Sequence, residues 1–190
     1  TCVNYTKRDG TAVVASAGGS WVLIQSTVIS DDASITITGL SSTYDYYMCV
    51  LADCVAAAAD SYLDIQLGDS SGIDTGASDY EWHNQQMSPA ASTYLGQVDA
   101  SDARIRVFGQ IGSDTGEGMS ALWYITSPSD GTTRTTIHGT GIGLGVDSLF
   151  EFGQFGGARL AVITHDRILI KAYDGNLATG RFSVYGLAHS

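Results

Sequence analysis

The chain has 190 residues and a mass of 19.9 kDa, enough to bury a sizeable core in one domain. It contains 9 Lys and Arg against 20 Asp and Glu, which gives a net charge of −11. This charge excludes electrostatic, sequence-independent binding to phosphate backbones and therefore a nucleic-acid partner. No run of about 18 apolar residues is present, so we expect no membrane-spanning helix and no membrane partner.

Residues 1–19 are polar and glycine-rich, and we predict an N-terminal arm there, ahead of a single β-sandwich domain over residues 20–190. Lys7 and Arg8 are positive in an otherwise acidic chain, and with Tyr5 they are the predicted partner-binding residues. An end without fixed structure would have the same composition, so both interpretations stay open. The start lacks the apolar core of a secretory signal, which predicts synthesis in the cytoplasm.

Beyond the arm, short runs of β-branched and aromatic residues recur between Gly, Asp and Ser, and no segment has a convincing helical period. Pro89 and Pro128 fall between these runs, where a missing N–H costs no ladder hydrogen bond. The spacing predicts an all-β protein, a two-sheet antiparallel jelly-roll or Greek-key sandwich. The predicted strands are residues 21–29, 34–39, 44–55, 61–67, 80–86, 92–98, 104–111, 119–126, 133–139, 147–155, 159–173 and 181–187.

Residues 44–54 are apolar almost throughout, which predicts a central strand covered on both sides. Cys49 and Cys54 lie on this strand, five positions apart, where a period of two places them on opposite faces. We therefore predict buried, reduced thiols and no disulfide between them.

Two further strands alternate between apolar and polar residues. In residues 61–67 three aliphatic side chains alternate with Tyr62, Asp64 and Gln66, which predicts one dry face and one wet face. Residues 104–111 follow the same pattern and predict a second half-buried strand.

Glycine recurs at every second position from Gly139 to Gly145. This spacing differs from the dinucleotide-binding fingerprint, and no switch from strand to helix precedes it. It predicts either a loop or a glycine-faced strand packed against another backbone.

The sequence contains no motif that predicts an enzyme. Gly68-Asp69-Ser70 is similar to the nucleophile motif of one esterase family, but the late Asp-x-x-His that would supply its base is missing, so a Ser-rich turn is favoured. Carboxylate pairs for a polysaccharide hydrolase are limited to Asp64 with Asp69 and Glu81 with Asp79, none in a recognisable context.

No metal site or cofactor is predicted either. The four histidines are scattered singly, without the spacing that marks a transition-metal site. Asp69, Asp74 and Asp79 could offer oxygens to Ca²⁺, but turns initiated by aspartate side chains explain them better. The four histidines are His83, His138, His165 and His189.

The 3 Trp and 10 Tyr could form a platform for carbohydrate, because aromatic faces stack on sugars. Trp82 and Tyr80 are the aromatic residues predicted to face a glycan. Packing in the core of a sandwich explains most of the other aromatic residues.

Residues 158–186 predict a sheet-closing hairpin, in which the Asp174-Gly175-Asn176 turn joins a long strand to a closing strand. The ending GNLATGRFSVYGL resembles the C-terminus of small β-sandwich proteins of tailed bacteriophages. The ordered segments ITGLSSTYDYY, YLDIQLGDS and GASDY, followed by Trp82, and the strand GMSALWY are similar to the same family. The similarity covers most of residues 34–188 but not the first thirty.

This resemblance implies a structural virion protein, located at the particle surface and made in the cytoplasm of a bacterial host. The function we expect is that of a capsid decoration or cement protein, a homotrimer that binds the major capsid protein or other virion subunits and stabilises the shell. The alternative is a tail-fibre or tail-tip module that recognises a host surface glycan. Aromatic side chains facing outward would favour the alternative.

Overall fold

The computed structural model describes residues 20–87, 95–145 and 149–188, which form two antiparallel sheets packed against each other. The predicted two-sheet antiparallel sandwich is therefore confirmed. The strands are β1 (Trp21–Asp32), β2 (Ile35–Thr38), β3 (Tyr46–Ala56), β4 (Leu63–Asp69), β5 (Gly72–Ile73), β6 (Tyr80–Met87), β7 (Leu95–Asp102), β8 (Ile105–Arg106), β9 (Gly118–Thr126), β10 (Thr136–Leu144), β11 (Phe150–Arg159), β12 (Arg167–Ala172) and β13 (Leu177–Leu187).

The larger sheet has eight strands in the order β1-β13-β3-β9-β10-β11-β6-β7. The smaller sheet has the order β2-β12-β4-β5, with β8 also paired to β4. β1 and β7 are the edges of the larger sheet, and nearly all of their side chains are at least partly exposed. The larger sheet therefore extends beyond the surface that the smaller sheet covers.

The core lies between the two sheets, and the period of two along each strand selects its members. In β9, Met119, Ala121, Trp123 and Ile125 are buried, while the residues between them are half-buried. The Trp123 ring stacks on Phe182 at 5.4 Å between centroids. Burial of these rings supplies much of the hydrophobic stabilisation of the sandwich.

Of the two interpretations offered for the glycine-rich run, the glycine-faced strand is correct. Gly139 lies in β10 directly between Trp123 of β9 and Phe155 of β11. The two rings meet at 6.2 Å between centroids, and a Cβ on Gly139 would lie 2.4 Å from the Cβ of Trp123. The glycine is required because two large aromatic side chains share the space above its backbone.

The predicted closing hairpin is wrong. β12 belongs to the smaller sheet, where it pairs with β2 and β4, whereas β13 belongs to the larger sheet and lies between β1 and β3. The turn at Gly175, which has a φ of 71°, therefore carries the chain from one sheet to the other. Turn residues between two strand-like runs predict a reversal, but they do not say whether the two runs pair.

β3 is internal to the larger sheet, as predicted, but only one of its faces is covered. Cys49 and Cys54 are both buried and unpaired, which agrees with reduced thiols. The prediction that they occupy opposite faces is wrong, because an irregularity follows Leu51 and Asp53 adopts a φ of 50°. This bulge restores Cys54 to the core side of the strand.

The wet face predicted for residues 61–67 is also wrong. Asp64 and Gln66 are buried, with exposures of 0% and 4%. Arg104 donates to Asp64 at 3.1 Å and the Gln66 amide donates to the carbonyl of Ala103 at 2.8 Å, so the segment after β7 covers this face. Burial raises the pKa of Asp64 even though Arg104 and Arg106 lie against it.

Within the predicted strand 104–111, only β8 is a strand. Gly109 has a φ of 67°, which an extended strand cannot accommodate. The N–H groups of Val107 and Ile111 still bond to the carbonyls of Leu63 and Ser61, so the segment follows β4 irregularly and covers it.

Candidate functional site

One face of the larger sheet packs on the smaller sheet, and none of the described residues covers the other, which we call the outer face. It carries the half-buried and exposed side chains of β9, β10, β11 and β6. Charged side chains are sparse on it, although the chain as a whole is acidic. A large sheet face with few charged side chains is typical of a surface that binds a partner or ligand.

Four rings form an aromatic row across the outer face: Trp21, Tyr46, Tyr124 and His138. Tyr124 is at its centre, with ring centroids 6.1 Å from Trp21, 6.4 Å from Tyr46 and 5.5 Å from His138. The three neighbouring rings are tilted by 32° to 59° from the plane of the Tyr124 ring, so none of them stacks flat on it. Trp21 and Tyr46 are 38% and 39% exposed.

The aromatic row leads into an open groove of about 750 Å³, which we call the outer groove. Gly156 of β11 forms part of its floor, in register between His138 of β10 and His83 of β6. A Cβ on Gly156 would lie 3.2 Å from Cε1 of His83, so the His83 ring lies close over this buried glycine. Glu81 and Gln154 add polar groups to the walls.

An apolar patch lies on the same sheet, towards the other end of β6, β10 and β11. It comprises Met87, Ile142, Phe150 and Phe152, each 44% to 48% exposed. Ile142, Phe152 and Met87 are direct register neighbours on three adjacent strands. Large apolar side chains clustered in this way mark a binding surface, whereas single exposed ones do not.

The structure places the two predicted glycan-facing residues inside the sandwich, so neither offers a ring face to an external sugar. Tyr80 is fully buried, and its hydroxyl hydrogen-bonds the backbone of Leu67 and Asp74. Trp82 borders the outer groove, but only 7% of it is exposed, and its Nε1 donates to Asp102 at 3.0 Å. The predicted partner-binding residues Tyr5, Lys7 and Arg8, with the arm 1–19, lie outside the described residues.

A buried polar cluster ties the loop after β5 to the end of β11. Arg159 donates to Asp74 at 2.9 Å and contacts Asp79 at 2.9 Å. His165 contacts Asp74 through Nε2 at 3.4 Å and Thr135 through Nδ1 at 3.0 Å. Thr135 and His165 are 0% and 1% exposed, so no substrate reaches this arrangement and it holds the loop in place.

The carboxylates considered for hydrolysis are engaged in structural contacts. Asp64 is buried against Arg104, and Asp79 is bound to Arg159. Asp69 accepts from the N–H of Ser71 at 2.7 Å, which is the aspartate-initiated turn predicted for it.

Among residues 20–87, 95–145 and 149–188, no group of three His, Cys, Asp or Glu side chains is placed to hold a metal ion. Over the same ranges, no helix is long and apolar enough to cross a membrane.

Sequence reasoning did not identify the residues of the outer groove. His83, His138 and Gly156 are far apart in the chain, and only the pairing of β6, β10 and β11 brings them together. The local signals were the period of two in β9, which places Tyr124 opposite Trp123, and the same period in β6, which places Glu81 and His83 on the outward face.

Comparison of the chain with protein-family models, with curated proteins and with solved structures gives no match in any of the three. The site must therefore be interpreted from its own geometry and chemistry.

Proposed function

We propose that this chain is a structural, non-catalytic virion protein of a tailed bacteriophage, acting as a decoration or cement protein on the surface of the capsid. In this role it binds the major capsid protein or other virion subunits as a homotrimer. It is made in the cytoplasm of the bacterial host and has no nucleic-acid or membrane partner. The resemblance of residues 34–188 to phage β-sandwich proteins supports the virion assignment.

The apolar patch is the observation that carries this proposal. Met87, Ile142, Phe150 and Phe152 are each about half exposed. Covering the exposed half of a large apolar side chain contributes about 1 kcal/mol, so the patch offers roughly 4 kcal/mol per subunit before association costs. That is too little for a tight monomeric complex, but it suffices where a trimer presents three copies to a repeating shell.

The location of the protein is tested by labelling intact particles with gold-conjugated antibody. Label spread over the head supports a decoration protein, whereas label confined to the tail refutes it. The contribution of the patch is tested with Phe152→Ser, measuring copies bound per particle. Val162→Ser is the matched control, because Val162 is 48% exposed but lies in the loop between β11 and β12.

A second function is favoured by a different observation, the aromatic row beside the outer groove. The exposed rings of Trp21 and Tyr46, beside the half-buried ring of Tyr124, suit a tail-fibre or tail-tip module that recognises a host surface glycan. Gold label at the tail end, together with binding of host cells by the purified protein, would support this function over shell decoration.

A further inference from the structure

We propose that the outer groove is a binding site for an uncharged saccharide, with a sugar ring packed on the aromatic row and its hydroxyl groups directed to His138 and His83. The proposal gives the second candidate function its ligand class and rests on the idea that this protein binds glycans. It does not depend on where the protein lies on the particle.

The aromatic row supplies the apolar half of such a site. A sugar ring has one face of C–H groups, which packs on the negative face of an aromatic ring. Tyr124 is half-buried, so the sheet fixes its position, while its tilted neighbours Trp21 and Tyr46 are over a third exposed. Rings that are held in place lose little conformational freedom when a ligand binds.

The groove floor supplies the space and the polar half. His138 and His83 flank Gly156 from the two neighbouring strands, which are about 10 Å apart at the usual strand spacing. An imidazole both donates and accepts hydrogen bonds, and the amide of Gln154 on the same wall does so too. The hydroxyl groups of a bound sugar therefore meet polar partners from both strands.

Charge decides which saccharides fit. The residues lining the groove include Glu81 and Asp99 but no Lys or Arg. Arg134 lies outside this lining, with its guanidinium 3.8 Å from the Glu81 carboxylate. In a chain with a net charge of −11, this lining disfavours phosphorylated, sulfated and sialylated ligands.

The polar walls also separate this site from a docking surface for protein. An apolar partner seated in the groove would remove water from Glu81, His83 and Gln154 without replacing the hydrogen bonds of that water, which carries a desolvation cost. A sugar satisfies the same groups with its hydroxyls. The apolar patch lacks such walls, so the two surfaces suit different partners.

The proposal is tested on the purified protein with neutral oligosaccharides of glucose, galactose and N-acetylglucosamine, and with sialylated and sulfated counterparts. Binding is measured by saturation-transfer NMR and calorimetry. We expect at least one neutral series to bind and the acidic counterparts to bind at least tenfold more weakly. Absence of binding by every neutral series, or preference for the acidic ones, overturns the proposal.

Variants locate the site. Tyr124→Ala removes the central ring and should weaken binding about tenfold. Gly156→Ala adds a methyl group to the floor, where its nearest neighbour is a side chain that can move, so the fold should persist while binding falls. Tyr173→Ala is the matched control, because Tyr173 is 48% exposed but follows β12 of the smaller sheet. Equal affinity in all three variants refutes the assignment to the groove.

Failure of this proposal and failure of the proposed function are distinguishable. Gold label over the head together with saccharide binding refutes the tail location and leaves the groove assignment intact. Label at the tail without saccharide binding overturns the groove assignment alone.

Discussion

Gly139→Ala should destabilise the protein strongly, although it adds a single methyl group. The new Cβ would lie 2.4 Å from the Cβ of Trp123, 2.5 Å from the carbonyl oxygen of Leu122 and 2.8 Å from the Cα of Trp123. Ordinary van der Waals contact begins at 3.4 Å, so the shortest of these contacts is about 1 Å too close. Two of the three atoms are backbone, and they cannot move unless β9 and β10 separate.

Overpacking of a core costs about 1–3 kcal/mol, and a clash with backbone lies at the upper end of that range. We therefore expect Gly139→Ala to lower the free energy of unfolding by about 3 kcal/mol. For a chain of this length that corresponds to a fall in Tm of roughly 6–12 °C. Urea unfolding followed by tryptophan fluorescence measures the free energy, and calorimetry measures Tm.

Gly96→Ala is the matched control, because Gly96 is also a strand glycine of the larger sheet. Its Cβ would meet nothing closer than 3.5 Å, the carbonyl oxygen of Asn84. It should be neutral or slightly stabilising, since alanine restricts the unfolded chain. If Gly139→Ala loses less than about 1 kcal/mol, or no more than Gly96→Ala, the argument that β10 needs glycine for aromatic packing is refuted.

Three further predictions concern the buried polar groups and thiols. Asp64→Asn should lower the free energy of unfolding, measured in urea, by about 2 kcal/mol, because Arg104 and Arg106 lose the carboxylate they contact. The more exposed pair of Asp166 and Arg167 is the control, and Asp166→Asn should change the free energy little. Burial lowers the pKa of His165 below 6.5 in the folded protein. The imidazole therefore takes up a proton more readily in the unfolded chain than in the folded one. Because protonation favours the unfolded chain, the free energy of unfolding should fall as the pH drops from 7 to 5. The free energy of unfolding falls by about 1.4 kcal/mol for each pH unit over which only the unfolded chain is protonated at His165. If His165→Asn leaves the pH dependence of the free energy of unfolding unchanged, the assignment to His165 is contradicted. Burial raises the pKa of Cys49 and raises that of Cys54 to about 12, so peptide-resolved thiol labelling at pH 8 should modify both only after unfolding.

The sequence was sufficient to predict the class of fold and most strands of the larger sheet. Strands such as β9 could be predicted because alternation between core and surface is a local property of the chain. The order of the strands could not, because which strands pair depends on contacts between distant residues. The turn at Gly175 fits a hairpin equally well, yet it joins two sheets.

Local irregularities explain two further errors. The bulge near Asp53 returns Cys54 to the core, and a strict period of two cannot anticipate an inserted residue. Asp64 was predicted to face solvent because it alternates with aliphatic residues along residues 61–67. Its partners, Arg104 and Arg106, are some forty residues further along the chain, and no local pattern links them.

The candidate site was the least predictable part. Tyr80 and Trp82 share the core face of β6, and the alternating polar residues Glu81 and His83 already indicated which face is outward. The groove itself depends on a glycine in β11 lying between histidines of β10 and β6. No single segment contains that information.

The position of β13 determines when the larger sheet can be completed during synthesis. β13 lies between β1 and β3, so among the described strands β1 has no partner in its sheet until β13 has left the ribosome. During synthesis β1 presents residues 21–30, which contain no charged side chain. Unfinished chains therefore carry a long uncharged strand with nothing to pair with, and ribosome stalling before β13 should yield aggregates instead of partly folded monomers.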